Sequence, residues 1–190
     1  MEYLSLFRMP TPMKITGRSS SITNAFINSI IPVVSPSAEA VKQALNILGM
    51  TPETFQCAYC GGVASEWDHL RPLVKDKKPT GYISEIHNLV PSCGKCNQSK
   101  GNKEWKAWMI SAAALSPTTR GIQDVSERAR RLEAYENWCV PTKMDFETVV
   151  GKDVWAQHWK NWERVQALMR ESQELAAKIN LRVAGAYKAL

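Results

Sequence analysis

Four cysteines stand in two matched pairs, Cys57-Ala-Tyr-Cys60 and Cys93-Gly-Lys-Cys96. Each C-x-x-C presents two sulfurs from one tight turn. Together they make the four-thiolate donor set of a tetrahedral structural zinc. Gly61, Gly62 and Gly94 supply the backbone freedom that such turns need. The rival reading is two redox-active or free thiol pairs. Matched knuckles in an intracellular chain favour metal over that reading. Four sulfurs leave no open position, so this ion, one per chain, builds structure and does not meet substrate. Cys139, between Trp138 and Val140, reads as a small buried hydrophobe.

The run between the knuckles carries a different chemistry. It reads Glu66, Trp67, Asp68, His69, Leu70, Arg71 and Pro72, then a lysine-rich turn, then His87, Asn88 and Leu89. Asn97 follows the last cysteine directly. Phosphodiester hydrolysis needs a base to deprotonate water and a hard cation to neutralise charge on the phosphate. Histidine suits the first task, with an unperturbed pKa near 6.5. A carboxylate and an amide oxygen suit magnesium, which keeps several waters and takes one or two protein ligands. His69, Asp68 and Asn97 offer these groups. Asp68 and His69 are neighbours, so on a regular strand they point to opposite faces; a bulge or strand end is needed to bring both to one site. His87 is a rival base, and Glu66 a candidate supporting group. Taken singly, Asp68 and Asn88 would read as turn or cap residues.

The combined pattern resembles the HNH endonuclease family, in the subgroup whose ββα-metal motif sits inside a four-cysteine zinc site. The D-H-x-x-P signature is met by Asp68, His69 and Pro72. The central N-L is met by Asn88 and Leu89. The ending C-x-x-C-[HN]-x-x-K-[GT] is met by Cys93, Cys96, Asn97, Lys100 and Gly101. The resemblance covers Cys57 to Lys103. It implies that His69 is the general base, that Asp68 and Asn97 hold one catalytic divalent cation (Mg2+ or Mn2+), and that Asn88 braces the loop and orients His69. It also implies products with a 5′-phosphate and a 3′-hydroxyl, and a motif helix lying against the minor groove. The last family position is often histidine; here it is Asn97.

Eight basic and four acidic side chains lie between Asp68 and Ala107. Arg71, Lys75, Lys77, Lys78, Lys95, Lys100 and Lys103 are the expected phosphate contacts with double-stranded DNA. Base reading must come from elsewhere, with Arg120, Arg128, Arg130 and Arg131 as candidates.

These groups must be positioned by short elements. Leu70 to Val74 and Tyr82 to Ile86 read as strands, and a helix is expected to open near Gly101 or Asn102, run through Trp105, Trp108 and Met109, and end by Pro117. Before the motif, Pro36 to Leu48 reads as a helix with Ser35 as cap and Gly49 as stop; a shorter helix fits Ile22 to Ile31. After it, Gln123 to Trp138 and Lys152 to Ile179 show helical periodicity, the latter through Trp155, Trp159, Trp162, Val165 and Met169. The fold class is α+β: a small ββα-metal core with zinc knuckles, flanked by mainly helical arms. The expected divisions are 1–55, 56–115 and 116–190.

The 190 residues, 44 % of them hydrophobic, allow a packed core and argue against global disorder. The net charge of +6 favours a polyanionic partner. No stretch reads as membrane-spanning, and residues 1–10 lack the apolar block of a secretory leader, so the location is read as cytoplasmic. The leading expectation is a type II restriction-like, sequence-specific DNA endonuclease acting as a homodimer, with the C-terminal helix as a possible interface. The alternatives are a phage or homing-type nicking enzyme and a non-catalytic zinc DNA-binding module.

Overall fold

The computed structural model describes residues 6–188. Part of the expectation about residues 1–10 therefore lies outside the described residues. The chain divides into two compact units: residues 27–149, and residues 1–26 together with 150–190. Among the described residues, no helix is long and apolar enough to cross a membrane.

The first unit holds both cysteine pairs. Its sheet is a two-stranded antiparallel ribbon of β1 (Glu66–His69) and, after the hairpin β2 (Val74–Lys75) and β3 (Lys78–Pro79), β4 (Leu89–Ser92). In β1–β4, Asp68 lies opposite Val90 and His69 opposite Leu89. The strands thus flank the two apolar runs and do not coincide with them. Leu70–Val74 cannot continue β1 because Pro72 interrupts it. Asn88 closes the ribbon instead: its Oδ1 accepts from Arg71 N at 2.8 Å and its Nδ2 donates to Arg71 O at 2.9 Å. Residues 82–86 make two isolated bridges, Val33 with Ser84 and Tyr82 with Lys143.

Helix α1 (Ser19–Asn28) begins about a turn before its expected start, and α2 (Ala38–Ile47) is capped by Ser37, not Ser35. Ser37 Oγ accepts from Ala40 N at 3.1 Å. Gly49, at φ +68°, ends α2 in the left-handed region as expected. The motif ends in α3 (Gly94–Lys100), followed by the short α4 (Trp105–Met109), capped by the Glu104 carboxylate. Helix α5 (Val125–Trp138) packs on this core, and α6 (Phe146–Val150) follows. Tyr59, Leu70, Val90, Trp105, Trp108, Met109, Leu132 and Tyr135 are buried together. The indoles remain satisfied: Trp108 Nε1 donates to Ser99 Oγ at 3.0 Å and Trp105 Nε1 to Glu136 Oε2 at 3.1 Å. Cys139 is only half-buried and lies outside this core.

In the second unit, α7 (Lys152–Lys188) runs 37 residues, past its expected end at Ile179. Its tryptophan face meets the N-terminal segment. Trp162 Nε1 donates to Thr23 Oγ1 at 3.0 Å, and His158 packs on Phe26 with ring centroids 5.3 Å apart.

Candidate active site

The cysteine pairs converge. The sulfurs of Cys57, Cys60, Cys93 and Cys96 all lie within 4.8 Å of one another, and Cys60 Sγ is 3.7 Å from Cys93 Sγ. That matches the roughly 3.8 Å edge of a tetrahedron with sulfurs about 2.3 Å from its centre. The donors are soft and geometrically matched, so the cluster can hold a zinc ion. Crowding opposes four free thiolates: contact with Cys60 pushes the Cys57 thiol up. The knuckle turn is closed by Gly61 N donating to Cys57 O at 2.9 Å, with Gly61 at φ +73°. A side chain at Gly61 would also strike the Arg128 guanidinium.

The reacting groups sit where α3 lies along β1. Glu66 and Asp68 are two apart on the strand and so share a face; Asn97 and Lys100 are three apart on the helix and share another. Asn97 Nδ2 donates to Glu66 Oε2 at 2.6 Å. Lys100 Nζ lies 3.0 Å from Asp68 Oδ2 and donates to His69 O at 2.8 Å. Tyr59 OH donates to the same Asp68 oxygen at 2.5 Å. Asp68 Oδ1 takes no part in these two bonds, and the Asn97 amide uses only its nitrogen on Glu66. Two oxygens of the kind a hard cation takes are therefore carried on the facing strand and helix.

His69 ends β1, and its ring leaves the Asp68 side. Nε2 lies 2.7 Å from Ser84 Oγ. Burial, reinforced by the Lys100 charge, pushes His69 down to about 4. The ring is therefore neutral, with a lone pair, at ordinary pH. Burial also raises Asp68, against the opposing Lys100 charge, and lowers Lys100, against the opposing Asp68 charge.

Several placements differ from expectation. Lys100 is no phosphate contact: its side chain is 0 % exposed and neutralises Asp68. Arg71 is turned inward as well, with Nη2 3.2 Å from Glu136 Oε1. Asn88 is buried and braces the loop through the Arg71 backbone; both of its amide atoms are engaged there and not on His69. Arg120 donates to Cys96 Sγ at 3.3 Å and Arg128 to Cys57 O at 3.4 Å, so both are engaged at the knuckles. Arg130 and Arg131 pair with Glu127. Lys75, Lys77, Lys78, Lys95 and Lys103 are exposed. His87 packs edge-on against Trp138, 3.6 Å from Glu85. Tyr59 and Ser84 escaped the sequence reading, because nothing in their spacing ties them to Asp68 or His69.

A ββα unit with a four-sulfur cluster and Asp-His on its first strand defines the class, and the comparisons agree. Residues 57–103 match the model of the HNH endonuclease family and form an HNH endonuclease domain. The chain is also 34 % identical, over 93 residues, to the CRISPR-associated endonuclease Cas9 of Corynebacterium diphtheriae. That match takes in 47 % of this chain and 7 % of the relative. No solved structure matches the chain.

Proposed function

We propose that the protein is a metal-dependent DNA endonuclease that leaves 5′-phosphate and 3′-hydroxyl ends, a type II restriction-like enzyme working as a homodimer. The observation that carries this reading is the packing of α3 along β1 inside the HNH match, with Lys100 on Asp68 and Asn97 on Glu66.

His69 accepts the proton of the attacking water. With the ring proton on Nε2, donated to Ser84 Oγ, the Nδ1 lone pair is the base. Its depressed pKa keeps it unprotonated before the reaction. Asp68 and Asn97 would hold a magnesium or manganese ion, which when bound neutralises charge on the scissile phosphate and the leaving oxygen. Lys100 holds Asp68 and the His69 carbonyl, so strand and helix keep their spacing. Asn88 fixes the chain beyond His69. A zinc ion on the four cysteines would pin the N-terminal end of α3 to the knuckle before β1. Exposed Lys75, Lys77 and Lys78 on the β2–β3 hairpin, with Lys95 and Lys103 on and after α3, would grip phosphates, making affinity fall with salt.

Incubation of the chain with long DNA of varied sequence and magnesium or manganese tests the reading. Discrete fragments with ligatable 5′-phosphates support a restriction-like enzyme. Nicks confined to one strand would shift the reading to a homing-type nickase. Tight binding with no cleavage in either metal would overturn it in favour of a non-catalytic DNA-binding module.

A further inference from the structure

Helix α7 carries two apolar faces, and the N-terminal segment covers one. Ser19 Oγ donates to Gln166 Oε1 at 2.5 Å and Ile15 N donates to Gln173 Oε1 at 2.7 Å, continuing the Trp162–Thr23 contact along the helix. About a third of a turn away a second stripe runs through Val154, Asn161, Leu168 and Leu175, at seven-residue intervals, with Ile179 four beyond. Val154 and Leu168 are each 61 % exposed, Leu175 58 % and Ile179 53 %. An open hollow lined by Asn161, Arg164, Val165, Leu168 and Glu171 marks its middle.

A seven-residue repeat joined by a second set four residues on (Val165, Ser172, Ile179) is the seam of a paired helix; His158, one heptad before Val165, is already held against Phe26. We propose that this stripe packs antiparallel against the same stripe of a second copy of the chain. The homodimer reading above gives the pairing its purpose; the surface itself is inferred from α7 alone.

Charge and polarity select one register. With Val165 opposite the partner's Leu168, Ile179 meets the partner's Val154, and Ser172 meets the partner's Asn161. Asn161 and Ser172 then bond to each other and neither faces a leucine, while Leu175 lies toward the partner's His158, which Phe26 already covers. The same register sets Arg164 beside the partner's Glu171, once on each side of the symmetry axis. Sliding by one heptad sets either Glu171 against the partner's Glu171 or Arg164 against the partner's Arg164, which like charges oppose. A parallel pair leaves Arg164 and Glu171 facing Met169 and Ala176, with no charge partner.

Sedimentation of the full chain across a concentration series, without DNA or added magnesium, tests this independently of nuclease activity. The expected result is a dimer that Leu168→Glu weakens by at least about tenfold, with helical content unchanged because Leu168 is exposed. Arg164→Glu and Glu171→Arg should each weaken it, and the double exchange should restore it. In a Cys139→Ser background, Ser172→Cys and Asn161→Cys chains should cross-link when mixed and not singly. A monomer at every concentration overturns the proposal. So does a dimer indifferent to Leu168→Glu, or cross-linking of Asn161→Cys alone, which marks a parallel pair.

Discussion

Lys100 and Asp68 form an ion pair at 3.0 Å in which the two side chains are 0 % and 5 % exposed. One is the lysine of the motif's helix and the other the aspartate of its strand. Their pairing holds α3 against β1. A buried charge left without its partner is costly, so Lys100→Met should destabilise the fold by about 3–5 kcal/mol. Asp68→Asn/Lys100→Met should cost less than the sum of the single changes. Urea unfolding measures both, and a Lys100→Met protein as stable as wild type would show that the pair does not hold the site.

The cysteine cluster predicts one tightly bound zinc per chain. Cys93→Ser should lose it and unfold the unit that carries the site, because zinc binding and folding are coupled when the donors are unpaired thiols. Elemental analysis and circular dichroism report the two effects. Full helicity in a zinc-free Cys93→Ser protein would contradict a structural role.

The sequence made the cluster and Asp68-His69 legible because their chemistry lies in type and spacing, which survive without coordinates. The strands were not legible. Apolar runs at 70–74 and 82–86 suggested them, whereas the ribbon forms where Asn88 can latch the Arg71 backbone. Helix α3, at seven residues, is too short to show a period. Burial of Lys100 was hidden for a different reason: lysine is almost never fully buried unless paired, and its partner stands 32 positions earlier in the chain.

Proton binding to His69 should oppose folding. Its folded pKa, about 4, lies below the unfolded value of about 6.5. The neutral ring thus contributes stability that is fully present above the unfolded value and is lost as pH falls from there through the folded value. Without added divalent cation, imidazole NMR should show His69 titrating near pH 4. His69→Gln should flatten the acid limb of the stability profile over that window. A His69 ring titrating at the ordinary value would refute the burial.

Asp76 and Lys77, at the tip of the β2–β3 hairpin, have φ of 51° and 62°. A two-residue turn with both positions left-handed favours Asp-Gly over Asp-Lys. Lys77→Gly should raise stability by about 1 kcal/mol while lowering DNA affinity and its salt dependence slightly. Thermal melts and salt titrations separate the two effects. A destabilised Lys77→Gly protein would contradict the turn assignment.

The most direct measurement is single-turnover cleavage of DNA by wild type and His69→Ala, in magnesium or manganese, on preparations shown to hold equal zinc. A positioned general base contributes about 100-fold to 10,000-fold, so the variant should be slower by at least the lower figure while remaining folded and binding DNA. Cleavage by His69→Ala at the wild-type rate would contradict the account.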